Sequence, residues 1–128
     1  MITPGIWLRN KLLTSTTITQ YTTQVYPDFL PLNKTPPAII YKDIGSDRNI
    51  TERNQIFSLS VYHDSKNETE ILHESIYDLF DTSTSYIKET SSYLNIDSVN
   101  IITPVSGSGY DDENSYWFKV LDLSVWYH

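Results

Sequence analysis

The chain has no cysteine, only 4 glycines and 1 methionine in 128 residues, and no apolar run near the roughly 20 residues of a membrane span. Without cysteine there can be no disulfide framework and no thiolate metal site, so stability has to come from packing or from partner subunits. The opening residues Met-Ile-Thr-Pro-Gly-Ile-Trp lack the positive lead and apolar core of a secretory signal, which points to a soluble protein made in a cytoplasm. Basic residues are also scarce: 9 Lys+Arg stand against 16 Asp+Glu, for a net charge of -7. They are scattered from Arg9 to Lys119, whereas sequence-independent DNA affinity needs Lys and Arg gathered on phosphates. What remains is enough for one domain, residues 1–128, with a single core that buries on the order of 70% of the unfolded surface.

The apolar spacing divides the chain into elements. Pro4 follows Thr3 at a favourable first helical position, and Ile6, Trp7, Leu8, Leu12 and Leu13 continue with helical spacing to Leu13. The Thr-rich tract Thr14 to Thr23 disfavours more helix, and Gln24-Val25-Tyr26 before Pro27 reads as a short extended piece. Pro36-Pro37 then launches a strand, Ala38-Ile39-Ile40-Tyr41, and a charged loop, Gly45 to Arg53, leads into a second. In that second strand, Gln55 to His63, Phe57, Leu59 and Val61 alternate with Ser58, Ser60 and Tyr62, so one face is core.

A helix is expected over Asp64 to Phe80, capped by Ser65 or Asn67, with Leu72, Ile76, Leu79 and Phe80 as its apolar stripe. His73 falls outside the stripe and reads as solvated. After a polar loop, Asp81 to Ser92, two strands, Leu94 to Thr103 and Ser115 to Tyr127, form a long hairpin. Its connection, Pro104 to Asn114, reads as a mobile loop because of Gly107 and Gly109. In the last strand Tyr116, Phe118 and Val120 lie on one face, and Trp117, Leu121, Leu123 and Val125 on the other, so both faces need cover. The expected fold is α+β, a four-stranded antiparallel sheet with two main helices packed on one face, in the order α, β, β, α, β, β.

No constellation argues for catalysis, a cofactor or a metal. His63-Asp64 has the dipeptide of metal-dependent phosphohydrolases, but only His73 and His128 remain as further histidines, and a strand ending in His-Asp-Ser before a helix reads as a capped turn. His73-Glu74 is not an HExxH motif, because position 77 is Tyr. Asp111, Asp112 and Glu113 lack the ligand spacing of an EF-hand, and Gly107-Ser108-Gly109 lacks the lysine and helix of a phosphate loop. The 10 Tyr and 3 Trp have no interleaved bases, so they read as cross-strand packing or an interface rather than a base-stacking platform.

The opening helix, the strand reached through Pro36-Pro37, the strand begun by Gln55, the Asp64-Ser65 turn into a helix and the closing pair of strands together resemble the tail terminator (tail completion) proteins of long-tailed bacteriophages. The branch is that of the lambda-type minor tail protein and its relatives in phages of Gram-positive bacteria. The resemblance implies a non-enzymatic virion protein at the neck. Such proteins form a ring, typically a hexamer, which stops growth of the tail tube, meets the head-completion or connector protein, and lets DNA pass without specific binding.

On this reading Ile56, Tyr62, Tyr116, Phe118 and Val120 are interface candidates, and Gly107, Gly109, Asp111, Asp112 and Glu113 form a channel or docking loop. The alternatives are a neck connector and, from another class, a small cytoplasmic metal-binding enzyme or ligand-binding domain that uses His63, Asp64 and the acidic loop.

Overall fold

The structure, a computed structural model, describes residues 3–48, 52–82, 87–91 and 94–128. Helix α1 spans Pro4–Thr14, with Thr3 as N-cap accepting from the Ile6 amide. A second helix, α2, follows at Thr16–Thr19 where the Thr tract was expected to exclude one. Ser15 caps it by accepting from the Ile18 amide, and Ile18 is fully buried, so packing overrides the weak propensity of Thr. The remaining elements are β1 Val25–Pro27, β2 Ala38–Arg48, β3 Arg53–His63, α3 Lys66–Phe80, β4 Glu89–Ser91, β5 Leu94–Asp111 and β6 Tyr116–Tyr127. No helix among the described residues is long and apolar enough to cross a membrane.

The sheet has six strands rather than four, in the order β1-β2-β3-β6-β5-β4, and it is mixed rather than antiparallel. It curls into a half-barrel with one main helix, α3, and the short N-terminal α1, instead of two main helices. The two added strands are short edge pieces, β1 falling on the extended piece expected at Gln24 to Tyr26 and only β4 unforeseen. β1 runs parallel to β2 through Val25 to Pro27, and Glu89 to Ser91 of the expected polar loop pair with β5. Longer strands also replace two expected loops. β2 and β3 stay paired out to Arg48 and Arg53, so Gly45 to Arg48, expected in a charged loop, are strand, while residues 49–51 of that loop lie outside the described residues.

Beyond Thr103, the segment read as a mobile loop continues as β5. Gly107 pairs with Val120, Gly109 with Phe118 and Asp111 with Tyr116. Gly109 packs under the Phe118 ring, where a Cβ would make ordinary contact at 3.4 Å.

One continuous core lies between the sheet and the helices. It takes Trp7, Leu8 and Leu12 from α1, Leu72, Ile76 and Phe80 from α3, and the odd-numbered Phe57, Leu59, Val61, Leu121, Leu123 and Val125 from the two central strands. Ser65 caps α3 by accepting from the Glu68 amide, as its sequence position suggests. Glu89 joins α1 to β4: the Trp7 indole donates to it at 2.8 Å and Lys11 pairs with it at 2.6 Å. Burial pushes the Glu89 carboxyl up, but those two bonds outweigh it and hold it below the usual range.

Candidate functional site

The strand period of two places the even-numbered residues of β3 and β6 on the face away from the helices. All five interface candidates lie on that face, Tyr62, Tyr116 and Phe118 together at one end and Ile56 six positions away along β3. Phe118 lies opposite Tyr62, Val120 opposite Ser60 and Ser124 opposite Ile56. The Tyr62 and Tyr116 rings meet edge to face at 4.9 Å. All five side chains are half-buried, whereas neighbouring Ile40 and Ser124 are buried.

Beside them the proline-rich segment between β1 and β2 forms the wall of a groove of about 460 Å³, lined by Phe29, Leu32, Pro36, Tyr62, Asn114 and Tyr116. Asp28 turns the chain into this wall with φ 67°, held by its amide bond to the Tyr41 carbonyl. Phe29 and Leu32 are left exposed. No periodicity marks this wall in the sequence, although two large apolar residues in a proline-rich segment are visible there.

The acidic candidates are separated by role. Asp111 closes the β5–β6 hairpin: its carboxylate accepts from the Asn114 amide at 3.2 Å and from the Asn114 side chain at 2.9 Å, and Ser115 completes the turn at φ 59°. Those bonds, led by the Asn114 side chain, hold the Asp111 carboxyl below its usual range. Asp112 and Glu113 stand exposed at the tip of the hairpin. Gly107 and Gly109 belong to the strand behind it, not to a loop shared with these acids.

On the opposite face the same end of the sheet carries Trp117, with Tyr110 against it at 4.9 Å and the Lys66 ammonium 5.4 Å from its ring centre. His63 ends β3 opposite Trp117, and its Nδ1 lies 3.0 Å from the Ser65 amide and 2.8 Å from Asp64. The ring thus sits within the turn that starts α3. Among the described residues no group of three His, Cys, Asp or Glu side chains is placed to hold a metal ion.

His73, expected to be solvated, is buried in α3 and its Nε2 meets the Pro104 carbonyl at 2.9 Å. A carbonyl only accepts, so Nε2 carries the proton. The bond secures the irregular stretch of β5 between Thr103 and Gly107. Burial first, and then the Lys119 cation, lower the His73 pKa against the opposing pull of the Pro104 carbonyl, Glu70 and Glu74.

The unfolded chain therefore binds this proton more readily than the folded one, so stability must fall as pH drops below the unfolded value of about 6.5. Urea unfolding of the parent should show this loss as pH falls below about 6.5, and a His73→Asn variant, which lacks the titrating group, should have a flatter profile. Equal slopes for the two proteins would refute the assignment.

No protein-family model and no curated protein sequence matches the chain.

Proposed function

We propose that this protein is a structural subunit of the virion of a long-tailed phage, a tail terminator that closes the tail tube with a ring and presents that ring to the head. The observation that carries the reading is the two-sided sheet. Helices cover one face, and the other carries Ile56, Tyr62, Tyr116, Phe118 and Val120, half-buried, with no helix over them among the described residues and only the wall of Phe29 and Leu32 beside Tyr62 and Tyr116. A half-covered apolar sheet with Tyr and Phe at its centre has the composition of a subunit contact.

The element order α1, β2, β3, α3, β5, β6 supports the same reading through the resemblance. The subunit would be made in the host cytoplasm and become part of the neck. One ring face would meet the tube protein and the other the head-completion protein, with DNA crossing the ring unbound. Exposed Asp112 and Glu113 at the hairpin tip suit either a channel lining that repels phosphate or a docking finger.

Polymerising tube protein in the presence of the purified chain tests the proposal. Tubes of limited length, with a ring at one end in negative stain, are the expected result. Tubes that grow without limit and carry no ring would overturn it, and attachment to heads but not to tubes would point to a neck connector instead.

A further inference from the structure

Both outer flanks of the sheet are open over part of their length, and the two open stretches match. β1 covers β2 only at Ile39 to Tyr41, so β2 from Lys42 to Arg48 has β3 as its one partner strand among the described residues. On the far side β4 covers β5 only at Leu94 to Ile96, which leaves β5 from Ser98 onward with β6 as its one partner strand among the described residues, the end of α3 and Thr82 standing across a groove from Asn100 and Ile101.

Following the cross-strand partners through the sheet gives the relative height of the two stretches. Lys42 lies level with Ser58, Asp122 and Thr103; Gly45 with Ile56, Ser124 and Asn100; and Asp47 with Asn54, Trp126 and Ser98. The open part of β2 therefore stands at the same height as Ser98 to Thr103 of β5. Three antiparallel steps separate the two strands, so they run in opposite directions.

Each open stretch also carries one exposed isoleucine on a register shift. Ile44, 50% exposed, sits in the shift between Asp43 and Gly45, and Ile102, 51% exposed, sits in the shift between Ile101 and Thr103. Edge strands are normally guarded by charge, yet β5 has no charged residue from Ser98 to Gly109. Pro104 guards the part beyond Thr103, the register shift at Ile102 lies within the open stretch, and the open stretch of β2 carries Lys42, Asp43, Asp47 and Arg48.

We infer that β2 of one copy pairs antiparallel with β5 of the next through these two stretches, bringing Ile44 and Ile102 within one position of each other and continuing the sheet from subunit to subunit. A second copy is the occupant because the chain itself supplies the matching length, height, direction and apolar residue for each flank. β1 and β4 bracket the contact, and the Thr103 to Gly107 irregularity ends it. The contact joins two different surfaces, so it repeats head to tail and closes into a ring where the rotation permits. The inference builds on the ring reading above and adds an edge contact to the one made by the face that carries Phe118.

The absence of native cysteine makes the test direct. Neighbouring antiparallel strands lie about 4.8 Å apart and rise about 3.4 Å per residue, so Cα atoms one position out of register are about 6 Å apart, within disulfide range. Under mild oxidation, Ile44→Cys chains mixed with Ile102→Cys chains should form dimers, and the double variant should form a ladder ending in a closed oligomer. Ile71→Cys on α3, mixed with Ile102→Cys, should stay monomeric, and circular dichroism confirms that each variant is folded.

Rings without the Ile44–Ile102 cross-link would overturn this contact and leave the terminator reading standing. A cross-linked ladder that fails to limit tube growth would support the contact and remove the terminator function. Cross-links only between two Ile102→Cys chains would overturn the head-to-tail arrangement, and monomers throughout, with and without tubes, would overturn both proposals.

Discussion

Phe118→Asp is expected to leave a folded monomer that forms no ring and yields no joined particles. Phe118 is half-buried on the face without helices, between Tyr62 on β3 and Gly109 on β5. In the free chain a carboxylate there keeps contact with water, so the fold should lose no more than about 1–2 kcal/mol, in the usual range for single substitutions. In an assembled ring the same carboxylate is enclosed without a cation, at a cost of several kcal/mol per contact repeated at every subunit. Far-UV circular dichroism and a thermal melt report the fold, and analytical ultracentrifugation reports assembly. An unchanged oligomer size with normal virion yield would remove this face from the interface.

The largest expected loss of fold comes from Phe80→Ala. Phe80 is the last residue of α3 and is fully buried, and Asp81 after it is already extended, so no glycine cap secures this helix end. Removing the ring forfeits its transfer free energy and leaves a cavity, together about 3–5 kcal/mol. A domain of this size has about 5–15 kcal/mol in all, so the variant should unfold at far lower urea and be partly unfolded at 37 °C. Leu79→Ala one position earlier, at a half-buried site, is the matched control and should cost much less. A Phe80→Ala loss no larger than the control's would show that the helix end repacks.

Periodicity made the long elements legible. α1, β3 and α3 were readable because a buried stripe repeats often enough to show its period, as in Phe57, Leu59 and Val61, and Ser65 declared itself as a cap. β1 and β4 were not legible as sheet members, since three residues show no alternation and their pairing is set by distant partners. The outer half of β5 failed for a different reason. Pro104, Gly107 and Gly109 are loop formers by propensity, but the hairpin closure at Asp111 and the ring of Phe118 over Gly109 hold them in a ladder.

His73 was misplaced because polarity alone assigned it to solvent, and its partner, the Pro104 carbonyl, is a backbone group that no spacing rule reveals. Of the candidate site, the alternation in β6 already grouped Tyr116, Phe118 and Val120. Their apposition to Tyr62 and to the wall of Phe29 and Leu32 needed the fold.

The ladder between β3 and β6 joins the two halves of the chain through eleven residue pairs, from Arg53 with Tyr127 to His63 with Trp117. Closing it loops out roughly 50 residues, so it must form late compared with the β2–β3 and β5–β6 hairpins on either side. Until that seam zips, nascent β6 exposes Tyr-Trp-Phe-Lys-Val-Leu-Asp-Leu-Ser-Val-Trp-Tyr along an unpaired edge. Lys119 and Asp122 are the only charges in it, which makes them gatekeepers against aggregation during synthesis as well as groups bonded to Glu70 and Ser106 in the finished fold.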